Sequence, residues 1–177
     1  METPEAAPPS LVGLTTYLLS RTGKAARGRL TERLAARGLR LWHMAVLAAL
    51  TDFGPHVQRA LATRLSVDPS DIAKVVDELA AAGWVGRTRD PADRRRVRVT
   101  VTPEGRTALA ALRSDAEAVQ DDLLAPLDAA ERDRLTALLR RVFDHLQADP
   151  DPDPDPDPGT GPDPDLDPDL DPKPTPA

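Results

Sequence analysis

Between residues 68 and 101 the hydrophobic period of the chain switches from helical to extended within a few residues. Few architectures accommodate that switch. Asp68 is placed to cap a helix, Pro69 falls at its first position, and Asp71 follows three residues after the cap. This is the capping-box layout with Asp in place of Glu. Ile72, Val75, Val76 and Leu79 then form an inward stripe, and Gly83 offers the left-handed residue that ends a helix. Residues 84–88 (WVGRT) and 97–101 (VRVTV) follow, both β-prone, the second alternating cleanly. Between them runs RDPADRRR, a charged turn. The pattern predicts a short capped helix feeding directly into a β-hairpin.

The remaining apolar spacing is helical. Ser10 is read as the N-cap of a first helix carrying Leu11, Leu14 and Leu18 and running through Leu30 and Leu34. Gly23 and Gly28 inside it each cost ~1 kcal/mol relative to Ala. A second helix is predicted over residues 41–51, ending in the Asp52-Phe53-Gly54-Pro55 breaker. A third, short one covers residues 57–65. After the hairpin, Thr102-Pro103 repeats the cap-then-proline start. Leu109, Leu112, Ala116, Val119 and Leu123 step by 3, 4, 3 and 4, a narrow seam suited to packing on another helix. Asp128 with Glu131 marks a last capped helix, whose stripe is Leu135, Leu138, Leu139, Val142 and Leu146. The fold class is therefore mainly α with a small β-wing. It is a winged helix-turn-helix spanning residues 10–148, with N- and C-terminal helices left over for dimerisation.

Charge points to a partner. The whole chain carries −6, but residues 149–177 hold 10 Asp and one Lys, giving −9. The other 148 residues carry 22 basic and 19 acidic groups, or +3. Six arginines (87, 89, 94, 95, 96, 98) against Asp90 and Asp93 place +4 within twelve residues of the hairpin. A cationic hairpin beside a short capped helix is what duplex DNA requires. The helix end enters the major groove, and the hairpin tip meets phosphate or the minor groove. The candidate recognition-face residues are Ser70, Lys74 and Asp77, with Arg64 as a phosphate contact and Arg94, Arg95 and Arg96 serving the wing.

These segments, LWHMAVLAAL and then LATRLSVDPSDIAKVVDELAAAGWVGRTRDPADRRRVRVTVTPEG, resemble the MarR family of bacterial transcriptional regulators. The resemblance spans roughly residues 11–146. Its most specific part is the wing: Asp93-Arg94-Arg95, then Val97, Val99, Val101, Thr102 and Gly105. The resemblance implies that Arg95 enters the minor groove and that Asp93 orients it. It also implies a homodimer with interleaved terminal helices, acting most often as a repressor released by a small ligand. The family's effector pocket falls near the start of the second helix, where Trp42 and His43 stand. With Tyr17 they are the candidates to hold an aromatic or phenolic effector. Packing roles for Trp42 and His43 are the simpler alternative.

Other classes find little support in the sequence. With no cysteine, disulfides and thiolate metal sites are excluded. His43, His56 and His145 are scattered, so no metal site and no cofactor is expected. No nucleophile motif or Gly-rich phosphate loop supports an enzyme. No apolar run approaches the ~20 residues of a membrane span, and the acidic, Pro-rich residues 1–9 lack the layout of a signal peptide. A flexible N-terminus and a cytoplasmic location are expected. The Asp-Pro repeat of residues 149–177 is read as a disordered, extended acidic tail. A non-specific architectural DNA binder and a winged-helix module for protein contact remain as alternatives.

Overall fold

The structure is a computed structural model, and it describes residues 7–89 and 97–148. Asp93, Arg94, Arg95 and Arg96, the acidic tail of residues 149–177 and most of the N-terminal nine residues lie outside the described residues. Two compact units are present, Met1–Pro126 and Leu127–Ala177.

The first unit opens with two helices where the sequence predicted one, α1 (Pro9–Val12) and α2 (Thr15–Ala35). Pro9 sits at the first helical position behind Pro8, so Ser10 lies inside α1 and does not cap it. Leu14 then adopts an extended conformation (φ −93°, ψ 120°), and the helix restarts at Thr15. Gly13 lowers the cost of that break, whereas Gly23 and Gly28 are tolerated within α2. Helix α3 (Leu41–Phe53) ends at Gly54, whose φ of 78° favours glycine. His56–Val57 form β1, a strand the sequence reading did not include. Next come α4 (Gln58–Leu65), α5 (Pro69–Ala81), β2 (Val85–Arg89), β3 (Val97–Val101) and α6 (Pro103–Leu123). The sheet is antiparallel in the order β1-β3-β2, with Val85 opposite Val101 and Arg89 opposite Val97. The expected hairpin is thus the larger part of a three-stranded sheet.

Local chemistry sets the helix ends. The Asp68 carboxylate accepts the Ser70 amide at 2.7 Å, starting α5. Asp71 does not complete a box; its carboxylate pairs with Lys74 at 3.8 Å. At the other end, Gly83 takes φ 74° and the Trp84 amide reaches back to the Leu79 carbonyl at 2.9 Å. Thr102 caps α6 by accepting the Gly105 amide at 3.0 Å, while its own hydroxyl donates to the Gly83 carbonyl at 2.8 Å. A Cβ on Gly105 would lie 2.0 Å from the Trp84 carbonyl oxygen, so only glycine fits where α6 leaves the sheet.

One core joins these elements. Leu34, Val46, Leu47, Leu50, Leu61, Ile72, Val75, Val76, Leu79, Val99 and Leu112 are essentially solvent-free. Leu109 and Leu112 belong to this core and Val119 is buried. The α6 seam, read from the sequence as suited to packing on another helix, is therefore largely buried within the chain. Asp115 is also buried on α6, where Arg37 (2.6 Å) and Arg33 (3.4 Å) meet its carboxylate. Those guanidiniums, Arg37 foremost, hold the Asp115 carboxyl below the usual carboxylate range. By contrast, Leu11, Val12, Leu14, Leu18 and Leu19 are exposed.

The second unit contains α7 (Ala129–Ala148). Its start is a reciprocal capping box. The Glu131 amide donates to Asp128 at 2.9 Å, and the Asp128 amide donates to Glu131 at 3.0 Å. Leu138, Leu139, Val142, Phe143 and Leu146 all lie exposed along this helix.

Candidate nucleic-acid interface

Helices α4 and α5 meet across a turn in which Ser66 is left-handed (φ 52°) and the Val67 amide returns to the Ala62 carbonyl at 3.1 Å. The inward stripe Ile72, Val75, Val76 and Leu79 locks α5 onto the core. Ser70, Asp71, Lys74, Asp77 and Glu78 are left facing solvent. The sequence-predicted recognition residues therefore do share an exposed helix face.

Their side chains are already engaged with neighbours. The Ser70 hydroxyl donates to Asp68 at 2.6 Å, and this bond with the Ser70 amide holds the Asp68 carboxyl below its usual range. Lys74 is exposed, makes a long contact of 3.8 Å to Asp71 and adds to the positive field on Asp68. Asp77 forms an ion pair with Arg87 of β2, tying the helix to the wing. Arg64, at the end of α4, stacks 4.1 Å over the Phe53 ring, and its Nε donates to His56 Nε2 at 3.2 Å. His56 can accept there because its other ring nitrogen donates to the Gly54 carbonyl at 2.8 Å. A cation fixed by an aromatic face and a histidine is suited to a phosphate contact.

The hairpin brings Arg87, Arg89 and Arg98 onto adjacent strands, with Thr88 opposite Arg98. The loop carrying Asp93, Arg94, Arg95 and Arg96 springs from the ends of these strands and lies outside the described residues.

Of the proposed effector residues, Trp42 is partly buried against the core and Tyr17 is partly buried on α2. His43 is buried, and both ring nitrogens are used inside the protein. Nδ1 accepts the Arg40 amide at 2.9 Å, so the ring proton sits on Nε2, which meets Glu78 at 2.6 Å. The Arg40 guanidinium also reaches both Glu78 oxygens, at 2.9 and 2.7 Å. Arg40 first, then His43, draws the Glu78 carboxyl below its ordinary range. Sequence reading missed Arg40 and Glu78, because 38 residues separate the partners. Among the described residues no His, Asp and Glu cluster fits a metal ion, and no helix is long and apolar enough to cross a membrane.

A capped helix packed behind a short helix, followed by a cationic hairpin, defines a winged helix-turn-helix protein. The family model of MarR matches residues 41–97. A putative transcriptional regulatory protein for the hcr operon of Thauera aromatica is 41% identical over 86 residues, covering 49% of this chain and 52% of that one. The transcriptional repressor NicR of Pseudomonas putida is 36% identical over 98 residues, 55% of this chain and 62% of its own. The chain thus spans between half and two thirds of the length of these curated relatives. The crystal structure of CouR from Rhodococcus jostii, bound to p-coumaroyl-CoA, superposes with a TM-score of 0.64 at 30% identity, covering 81% of this chain and 98% of that one. The chain belongs to the MarR family.

Proposed function

We propose that the protein is a sequence-specific DNA-binding transcriptional regulator that acts in the cytoplasm as a homodimer on a pseudo-palindromic operator. One observation carries this reading. The solvent face of α5, with Ser70, Lys74 and Asp77, is tied by the Asp77–Arg87 pair to a hairpin bearing Arg87, Arg89 and Arg98. A helix end for the major groove and a cationic wing are thereby set side by side. Arg64 adds a phosphate contact. Arg94, Arg95 and Arg96 serve the wing, with Arg95, oriented by Asp93, as its minor-groove contact. Dimerisation accounts for the exposed leucines of α1 and α2 and for the apolar face of α7. The relatives are regulators by name, one of them a repressor. Repression relieved by a small aromatic effector is the mode we assign, with Trp42 and Tyr17 as the aromatic surfaces for it. CouR holds an aromatic acyl thioester, which supports that ligand class. No catalysis is proposed.

Selection of duplexes from a random pool, followed by footprinting and salt titration, tests the assignment. The expected site is a pseudo-palindrome with half-site centres ~10 bp apart. Affinity should fall steeply with salt, and the selected duplex should bind ~10³-fold or more tighter than random DNA. Equal binding to all sequences would establish an architectural binder in its place. Binding to none would leave the winged helix as a protein-contact module.

A further inference from the structure

The residues of α5 that face solvent include an acid, Glu78, whose position is unexpected for a DNA-facing helix. It is half exposed, yet its carboxylate receives the Arg40 guanidinium on both oxygens and the His43 Nε2 proton on one. His43 is only 4% exposed and is itself fixed through Nδ1 by the Arg40 backbone amide. Residue 40 therefore acts twice, its amide orienting the imidazole and its side chain closing on the acid that the imidazole holds. Two features separate this from an ordinary surface ion pair. One guanidinium nitrogen of Arg40, Nη2, donates to both Glu78 oxygens, so the carboxylate is held at both oxygens by charge-assisted bonds. The third member is buried and cannot turn without leaving a ring nitrogen unsatisfied.

We propose that Arg40, His43 and Glu78 form a positioning clamp that sets the rotation of α5 about its axis, and so acts as a specificity determinant for the DNA sequence read. The clamp joins the start of α3 to the third turn of α5. The packed stripe of α5 locks the helix onto the core through aliphatic contacts, which are not directional. Charge-assisted hydrogen bonds from Arg40 and His43 to one carboxylate are directional. Rotation of a recognition helix moves Ser70, Lys74 and Asp77 against base edges, where hydrogen bonds tolerate shifts of only a few tenths of an ångström. Phosphate contacts through the wing arginines tolerate more. This inference rests on the DNA-binding reading above.

The sign of the effect makes it testable. Glu78 is an anion on the proposed DNA side, so its neutralisation by electrostatics alone tightens binding to every duplex alike. The clamp predicts the opposite for the correct site. Glu78→Gln, which keeps the shape and one acceptor for His43, should lower affinity for a duplex selected by the wild-type protein by roughly tenfold. Affinity for an unselected duplex of the same length should be unchanged or slightly higher. Arg40→Ala should lose the same selected-to-random ratio, and the double variant should lose no more than either single one. In the free protein, amide exchange over residues 74–81 should quicken in both variants by more than the drop in the urea midpoint accounts for. That measurement stands whether or not DNA is bound. Retained ratios, equal tightening on both duplexes, additive losses or unaltered amide exchange would each overturn the clamp. A wild-type protein that does not distinguish the two duplexes would instead overturn the DNA-binding reading, leaving exchange to judge the clamp.

Discussion

Gly105→Ala separates tertiary packing from helix propensity, because the two predict opposite signs. Gly105 lies in the first turn of α6, where Ala is ordinarily favoured by about 1 kcal/mol. Here an added Cβ would meet the Trp84 carbonyl oxygen at 2.0 Å and its carbon at 2.9 Å. Both are backbone atoms, so no rotamer change relieves the clash. The helix start must move away from β2 by about an ångström. That displacement strains two bonds at once: the Thr102 amide to the Trp84 carbonyl at 3.0 Å and the Thr102 hydroxyl to the Gly83 carbonyl at 2.8 Å. Overpacking of this kind costs about 1–3 kcal/mol, and each weakened bond up to ~1 kcal/mol more. Net of the propensity gain, we expect a loss of about 2 kcal/mol, and at most about 4. Urea denaturation of wild type and variant, followed by far-UV circular dichroism, should show a lower midpoint at unchanged slope. Thr102→Ala, which removes the cap but leaves Gly105, should lose about 1 kcal/mol. A Gly105→Ala protein as stable as wild type, or more so, would refute the close approach of α6 to Trp84.

Three further outcomes are expected. Asp68, Glu78 and Asp115 are held below their ordinary range in the folded chain, so the stability they confer is present above the unfolded value near 4 and is lost as pH falls through the lower folded values; the urea midpoint should drop as pH is taken below the unfolded carboxylate range, and Asp115→Asn should lower it at pH 7 and flatten that acid slope. Arg95→Ala should weaken DNA binding by about 1–3 kcal/mol and reduce the salt slope with little change in melting temperature, whereas unchanged affinity in a gel shift would remove Arg95 from the interface. Residues 1–148, compared with the full chain on random DNA at low salt, should bind more tightly if the ten aspartates of the tail compete with phosphate for the arginines; the difference should fade as the Debye length shrinks to ~8 Å, and equal affinities at low salt would leave the tail without that role.

What could be read in the sequence was what depends on neighbours within one turn. The Asp68-Pro69, Thr102-Pro103 and Asp128–Glu131 starts and the Gly83 stop are where the sequence placed them, since a cap involves only residues two to five apart. The strands were placed within one residue because period-2 alternation is also local. The break at Leu14 was hidden by a leucine spacing that runs across it unchanged. Strand β1 was too short, at two residues, to show any period. The ion pairs join residues far apart in the chain, as with Arg33 and Asp115, 82 positions away. One signal was available there: Asp115 falls on the apolar stripe of α6, between Leu112 and Val119, and a charge on a buried stripe demands a cation. Arg33 and Arg37, spaced by four, supply it. Gly105 was marked only through the family's wing motif, and its physical requirement comes from the Trp84 backbone.

The charge of α5 illustrates why a residue count misleads at such a site. Asp68, Asp71, Asp77 and Glu78 against Lys74 give −3 on the very helix proposed to approach a polyanion. Taken alone, that figure argues against DNA. The fold supplies Arg87 to Asp77 from the wing and Arg40 to Glu78 from the start of α3, which brings the local sum to −1. Asp68 is committed to the cap, where the positive end of the helix dipole favours it. The acids therefore serve to hold the helix, each matched to a cation or to the helix end. Long-range attraction is left to the rest of the hairpin, where residues 88–98 carry five arginines against Asp90 and Asp93, or +3. This division gives the two parts distinct signatures. Wing arginines should govern the salt slope and non-specific affinity, and the acids of α5 should govern which sequence is bound.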